Sequence, residues 1–434
     1  MQQNHNMPRV VIAASLGTVF EYYDFMLYGS LAAFFSGLFF PADNPTASLL
    51  ASLATFGAGF AMRPVGALLF GRLGDTAGRK RTFLITIVIM GLATTLVGAL
   101  PTYAQIGWLA PVLLVLLRLL QGLALGGEFG GATLYIAEHS PAARRGWFTA
   151  WIQITGTLGL ILSLLAILAC RALLGEEAFR AWGWRLPFLF SVLLLGVSIY
   201  IRLRLKESPL FAQLQSSGGL SRAPITDSVL AAENRRPMLL ALAAAAAMAL
   251  NWYAAQFYSY VFLQSTVKLP FTTAAGITIV ALTLGIPLFL AAGYWSDRTG
   301  RLKPMLLGMA IATLSFLPGF QLLMTRGDSP VILTLAILGM IVGAALTCGP
   351  GAAYLAELFP TRIRYTSLSF PYHITSAWFG GFMPLTATWL VARTGNPLAG
   401  VWYPTVISLA CLLILLAGGA WQREQRGATW RQAL

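Results

Sequence analysis

The chain has 434 residues, 57% of them hydrophobic and only 10% charged, and a formal net charge of +14. Soluble domains carry about 25% charged residues, so a large water-soluble enzyme is excluded. Uncharged runs of roughly 20 residues, enough to cross about 30 Å of hydrocarbon as helices, mark an all-α integral membrane protein.

The first span, expected near residues 10–40, runs well past the short apolar core of a cleavable signal and is expected to stay in place. It carries Phe20-Glu21-Tyr22-Tyr23-Asp24-Phe25. Glu21, Asp24 and Tyr28 stand at i, i+3 and i+7 and so share one face. Asp24 lies roughly 21 Å along the helix from Val10, near mid-membrane. A second span, 47–70, contains Arg63-Pro64 and leads into Gly71-x-Leu73-Gly74-Asp75-x-x-Gly78-Arg79-Lys80-Arg81. There Gly71, Gly74 and Gly78 are expected to permit a tight turn. The third span is 82–101. The fourth, 108–138, holds Arg118, Gln121, Leu125 and Glu128 on a second polar stripe, beside a small-residue face of Gly122, Gly126 and Gly130 suited to close packing. Glu138-x-x-Pro141-x-x-x-Arg145 follows it. Spans five and six are expected at 146–170 and 184–204.

A polar stretch, 206–236, divides the chain. It includes the flexible Ser216-Ser217-Gly218-Gly219 and a short amphipathic helix from Pro224 to Arg236, suited to the membrane surface. Six more spans follow, at 237–266, 272–295, 304–325, 330–357, 363–391 and 398–421. The seventh offers Asn251, Trp252, Tyr253 and Gln256, and the eleventh Tyr372, His373 and Trp378. No charged residue sits deep in this half. Trp108, Trp402 and Tyr403 suit interfacial anchoring.

Both polar turns recur. Gly293-x-x-Ser296-Asp297-x-x-Gly300-Arg301-Leu302-Lys303 follows the first by 222 residues, counting from Asp75 to Asp297. Glu357-x-x-Pro360-x-x-x-Arg364 follows Glu138 at an offset of 219. Two repeats at nearly one offset indicate duplication of a six-helix unit, and an even number of spans per unit makes the repeat parallel. Twelve transmembrane helices in two six-helix halves are therefore expected, at 1–205 and 237–434, joined by the 206–236 linker. Lys and Arg crowd alternate loops, including Arg79, Lys80, Arg81, Arg144, Arg145, Arg235, Arg236, Arg301 and Lys303. The opposite loops hold only Arg171, Arg180, Arg185, Lys268, Arg326 and Arg393. By the positive-inside rule both termini are cytoplasmic, in an inner or plasma membrane. The basic charge thus reflects topology, and nucleic acid is not an expected partner.

Two such halves with these turns resemble the major facilitator superfamily, over almost the whole chain. The Gly71–Lys80 turn looks like the superfamily's loop 2–3 motif, and Arg118-Leu119-Leu120-Gln121-Gly122 like its fourth-helix motif. The 20–25 motif with Tyr28-Gly29, Arg63-Pro64, Gly126-Gly127-Glu128, Trp182-Gly183-Trp184-Arg185-x-Pro187-Phe188 and Glu207-Ser208-Pro209-x-Phe211 are similar to the metabolite:proton symporter family within it. That resemblance implies proton-coupled symport of a small metabolite by alternating access, with the lipid bilayer, protons and the solute as partners. A monomer is the expected functional unit.

Charges cost about 2.5–3.5 kcal/mol at mid-bilayer on insertion scales and usually face a cavity. A carboxyl withdrawn from water takes up a proton more readily, and a nearby guanidinium opposes this. Asp24 or Glu21 is accordingly expected to carry the proton, with Arg118 or Arg63 sensing a negative group on the solute. Gln121, Tyr28, Glu128, Asn251, Tyr253, Gln256, Tyr372 and His373 are further candidate substrate contacts. The alternative for each charge is a static intramembrane pair, and for His373 a buried neutral imidazole. In the loops, Asp75 can accept from the amides of a neighbouring helix N-terminus. The resemblance implies that Asp75, Arg79, Arg81, Glu138, Arg145, Asp297, Arg301, Glu357 and Arg364 close the cytoplasmic side. Leu302 replaces the counterpart of Lys80, so the second latch is expected to be the weaker.

Cys170, Cys348 and Cys411 and the three histidines are scattered, so no metal site, cofactor or enzymatic cluster is expected. An integral-membrane enzyme is disfavoured on that ground, and a channel by the lack of a filter signature. Deep arginines favour a mono-, di- or tricarboxylate or a shikimate-like acid. A betaine or proline carrier is the alternative, made less favoured by a tail after Trp421 too short for a coiled coil. Uncoupled uniport is a further alternative.

Overall fold

A computed structural model describes residues 7–77, 79–127, 129–204, 232–359 and 363–432, with the backbone alone at 71, 72, 74–77, 79–81 and 420–432 among others. Glu128 and most of the 206–236 linker, including the surface helix expected from Pro224, lie outside the described residues. So do the side chains of Asp75, Arg79 and Arg81.

The described helices assemble into twelve passes: α1 (residues 7–39), α2 (45–77), α3 (Arg79–Ala99), α4 (Leu109–His139), α5 (Ala142–Leu174), α6 (183–204), α7 (Arg235–Ser265), α8 (Phe271–Thr299), α9 (Leu302–Thr325), α10 (Pro330–Glu357), α11 (364–394) and α12 (Ala399–Gln432). Among the described residues, ten helices are long and apolar enough to cross a membrane. Polar caps start some of them. Asn44 accepts the Thr46 N–H at 2.9 Å ahead of Pro45, satisfying one of the amides a helix start leaves free.

Composition explains which passes lie inside. The Leu239–Leu250 stretch of α7 is mostly alanine, a strong helix former whose small side chain lets neighbours approach closely. The α7 window is 89% buried and that of α1 71%, against 33% for α6 and 39% for α9 and α12. The leucine-rich outer passes present their side chains outward, as lipid-facing helices do.

The first six and last six passes meet along α2 with α11, α5 with α8, and α1 with α7. Glycines permit the closest approaches. A Cβ on Gly122 or Gly126 would overlap the Gly59 or Arg63 carbonyl, so α4 lies directly on α2. Close packing, as expected from the sequence, is what this small-residue face does.

The charged turns differ from expectation. Residues 71–77 continue α2, and Gly293–Thr299 forms the last turns of α8; among the described residues of the two turns, only Gly300, at φ +85°, takes a conformation that favours glycine. Gly293 instead faces Gly146 of α5, where a Cβ on either would overlap the other's carbonyl. Its small size serves helix contact between halves, and a helical pattern and a turn pattern share the same glycine spacing.

Candidate functional site

Midway along the helices is a cavity of about 30 Å³, walled by Tyr22, Arg63, Gln153, Trp252, Tyr253, Tyr372 and Ser376 with several apolar neighbours. A water needs about 10–15 Å³ in this measure, so the space holds a water or two, far below the ~300 Å³ of a typical ligand pocket. Larger openings, about 330 and 730 Å³, lie at the end remote from the termini, between α1, α2, α7 and α11 and between α1, α5, α7 and α8. Between them and the cavity is an aromatic layer. Phe56 stacks on Phe257 at 4.9 Å, and Phe60 meets Tyr253 edge-on at 5.3 Å.

Two π-helical segments shape the cavity wall. Tyr253–Tyr258 interrupts α7 and Ser376–Gly381 interrupts α11, and such insertions recur at functional sites because they re-aim side chains. Gly380 lies against the Tyr253 ring, so the two irregular turns touch.

Arg63, 1% exposed, stands in the wall with its guanidinium 3.9 Å from the Phe60 centroid and 4.9 Å from that of Phe25. Arg118, wholly buried, lies 4.1 Å from the same Phe25 ring and 4.7 Å from Tyr28. The two guanidinium carbons are therefore within about 9 Å of each other. At an effective dielectric constant near 20 they repel by at least about 2 kcal/mol. Cation–π contacts return about 2 kcal/mol each when desolvated. Among the described residues neither forms an ion pair. Arg63 Nε and Nη2, Arg118 Nε and Nη2, and Gln153 Nε2 are buried with no hydrogen-bond partner there. Such donors are costly unless something accepts from them.

The acids sit in the same half. Asp24 Oδ1 accepts from Ser191 Oγ of α6 at 2.6 Å, and both Asp24 and Glu21 are 5% exposed. Of the substrate contacts expected from sequence, Arg63, Tyr253 and Tyr372 reach the cavity. Tyr28 instead donates to the Ser52 carbonyl at 3.0 Å. Gln121 is committed to Arg118 and Thr94, and Asn251 donates to Thr347 at 3.3 Å. Gln256 accepts from Thr157 at 2.8 Å, bridging α7 to α5. His373 is fully buried, off the cavity, with neither ring nitrogen bonded among the described residues. Sequence reasoning missed Gln153 and Ser376 as wall residues, and Tyr22, named only within its motif; Tyr22 lies one turn from Phe25 on α1, so helical phase was the available signal.

At the face carrying the termini, one cluster joins the halves. Asp297 accepts the Gly146 N–H at 2.8 Å and the Trp147 N–H at 2.9 Å. These are first-turn amides of the helix starting at Arg145, where a carboxylate is favoured by the helix dipole. Asp297, the repeat partner of Asp75, thus makes a cap of the kind expected for Asp75, whose own side chain lies outside the described residues. Arg301 bonds Asp297 and Ser296 and reaches Glu357 at 3.1 Å, while Arg145 meets Glu357 at 3.4 Å. Burial opposes the Arg301 charge, but hydrogen bonds and Coulomb attraction from Glu357 and Asp297 outweigh it and raise its pKa. Leu302 takes no part and packs inward near Gly419. Arg364 donates to the Phe359 carbonyl at 3.1 Å, and Glu138 is half-buried nearby.

The description Major Facilitator Superfamily matches residues 14–370. The chain belongs to that superfamily. It is a transporter and not an enzyme. Within the superfamily it is 34% identical over 426 residues to the inner membrane metabolite transport protein YhjE of Escherichia coli K12, covering 94% of this chain and 93% of that one. It is also 34% identical to the glycine betaine/proline/ectoine/pipecolic acid transporter OusA of Dickeya dadantii, covering 93% and 82%. A putative proline/betaine transporter of Staphylococcus aureus is 33% identical, covering 94% and 87%. The proton:xylose symporter XylE bound to 6-bromo-6-deoxy-D-glucose shares the fold, with a TM-score of 0.74 at 17% identity over 95% of each chain. The all-α, twelve-pass architecture expected from the duplicated turns is this superfamily's fold.

Proposed function

We propose that the transporter carries a small carboxylate-bearing solute inward together with protons, as a monomer, by alternating exposure of the central cavity. The two six-helix units would rock about it, joined by the 206–236 linker. The face with Asp297 and Arg301 is read as cytoplasmic, from the excess of Lys and Arg in its loops.

The observation that carries this reading is Arg63, a buried guanidinium in the cavity wall whose Nε and Nη2 have no acceptor among the described residues. A carboxylate accepts from such a fork in bidentate fashion, relieves the repulsion between Arg63 and Arg118, and has a further donor in Gln153. Asp24, deep and near Arg118, serves as the proton carrier, with Glu21 as its partner or substitute. Arg118 acts from behind Phe25.

Organic acids fit this arrangement. A zwitterion such as a betaine is a second reading, favoured by the wall of Tyr22, Trp252, Tyr253 and Tyr372. Aromatic faces attract quaternary ammonium groups, and OusA is named for such solutes. Both readings place a carboxylate on Arg63. Uptake of labelled organic acids and betaines into proteoliposomes, under an inward proton gradient with and without protonophore, tests them. Accumulation of one class that collapses with protonophore is expected. Uptake indifferent to the gradient would leave uniport.

A further inference from the structure

We infer that the vestibule at the far end holds a second binding site, at Arg171, for the carboxylate of a small organic anion or zwitterion. The site rests on the reading of a carboxylate-bearing solute and deepens it: the group that Arg63 would take at the centre is met first at the mouth.

The two openings at that end are lobes of one vestibule, since Ala33 and Ser36 of α1 and Gln264 of α7 border both. Ligand pockets measure ~300–1,000 Å³. The wider lobe, about 730 Å³, falls in that range, and the central cavity of about 30 Å³ does not. A solute that the centre has no room for has room here.

Charge in the vestibule walls is one-sided. Arg171 and Arg180 border the wider lobe and Lys268 the narrower, against Glu176 as the one acid among the described lining residues. Walls of low dielectric focus such a field and draw anions in. Lys268 is held at φ +64°, a left-handed conformation that favours glycine. The amides on either side, Val267 and Leu269, bond back to the Phe262 and Leu263 carbonyls and fix it. Such a conformation costs about 1–3 kcal/mol. A lysine where glycine would be free of strain is accounted for by a use for its charge.

Arg171 itself, on α5, is only partly satisfied. Its guanidinium carbon lies 4.6 Å from the Phe179 ring centroid and 4.2 Å from that of Phe271. Nη1 meets Glu176 Oε2 at 3.1 Å, while Nε is buried with no acceptor among the described residues. Such a donor is costly until something accepts from it. Glu176 is a loose partner: it is half-exposed, and its Oε1 already accepts from Arg180 Nε at 2.7 Å. Two arginines and one glutamate leave one positive charge over. A solute carboxylate neutralises it, docking on Arg171 in bidentate fashion while Glu176 stays on Arg180. Phe271 opens α8 and so belongs to the other six-pass unit. Parting of the far ends withdraws that ring from Arg171 and uncovers the guanidinium as the way inward opens.

The test reads Arg171 directly. Purified full-length protein in a maltoside detergent, which carries no phosphate, is treated with phenylglyoxal. The rate at which Arg171 is modified is followed by peptide mass spectrometry. Succinate, glycine betaine and choline are the probes, choline being the quaternary ammonium without the carboxylate. Succinate and glycine betaine at saturation are expected to slow modification of Arg171 at least about fivefold, as occupancy by mass action requires, and choline is expected to leave it unchanged. Glu176→Gln, which removes the competing carboxylate, should lower the half-protecting concentration about threefold, the scale of a partly exposed ion pair. Lys268→Gly, which relieves the backbone strain, should raise it about twofold at low salt, an effect that salt screens away.

The same protection is expected in Arg63→Gln, because the vestibule site is separate from the centre. Absence of protection in the parent, or equal protection by choline, overturns the vestibule site. Protection in the parent that disappears in Arg63→Gln overturns it too and leaves the central reading standing. Protection of Arg171 together with full equilibrium affinity in Arg63→Gln keeps the vestibule site and sinks the central one. A phospholipid headgroup offers phosphate oxygens to the same guanidinium, so the rates are repeated in phospholipid nanodiscs. Slow modification there without solute, to which succinate adds nothing, assigns Arg171 to lipid and overturns the proposal.

Discussion

Asp297, on α8, accepts the backbone N–H of Gly146, on α5, at 2.8 Å. One carboxylate from the last six passes thereby caps a helix of the first six. Because the acceptor and the amides belong to different halves, the bonds exist only when this face is closed. Hydrogen bonds to a charged group contribute about 1.5–3 kcal/mol each. Asp297→Ala is therefore expected to open the face by at least about tenfold in population, and Asp297→Asn by less. Cys348, in the cavity wall and 3% exposed, is a native reporter. Its alkylation by an impermeant maleimide added at the terminal face, followed by peptide mass spectrometry, should quicken accordingly. Arg145→Gln should change the rate less than about fivefold, since its bond to Glu357 is partly exposed and such pairs contribute ~1 kcal/mol or less. Equal rates for Asp297→Ala and the parent would remove the cap from the gate.

Gly146 sits where a Cβ would meet the Gly293 carbonyl, Ser296 Oγ and an Arg301 nitrogen. A backbone carbonyl cannot step aside as a side-chain tip can, and overpacking costs about 1–3 kcal/mol. Gly146→Val should prevent closure of this face. Uptake is expected to fall at least tenfold, with Cys348 labelled quickly from the terminal face and the protein still monodisperse. Normal uptake would show that the helices need not come this close.

The opposite barrier has a different chemistry. Phe257, on α7, stacks on Phe56 of α2 at 4.9 Å and fills the space beside Gly29. Aromatic pairs add about 0.5–1.5 kcal/mol beyond their buried area. Phe257→Ala should weaken closure at the far end alone, quickening Cys348 labelling from that side several-fold and leaving the terminal face unchanged. The terminal-face gate should weaken with salt, because charges are screened, whereas the aromatic layer should not. Labelling from both sides across a salt series distinguishes them.

The twelve passes were legible because the evidence is periodic: apolar runs of spanning length, and two polar turns repeated at offsets near half the chain. Arg63, Tyr253 and Tyr372 were recognisable as cavity residues for a physical reason, since polar groups in a span need an interior. What sequence could not separate was the role of neighbours on one helical stripe. Tyr28 shares a face with Asp24, yet its hydroxyl is taken by Ser52 of α2, a contact set by how tightly α1 and α2 pack. Ser191 carries no sequence signal at all, because a hydroxyl in a span usually bonds its own helix; only tertiary packing brings it to Asp24. The repeated glycines misled in the opposite direction: their spacing suits a turn, and the structure uses Gly293 for helix contact instead.

The central claim is that Arg63 receives the solute's carboxylate. Equilibrium binding of the accumulated solute to purified parent, Arg63→Lys and Arg63→Gln proteins tests it most directly. The claim predicts that Arg63→Lys, which keeps the charge but loses the planar fork, weakens binding about tenfold, and that Arg63→Gln weakens it about a hundredfold, or ~2.7 kcal/mol. Unchanged affinity in a folded Arg63→Gln protein would contradict it.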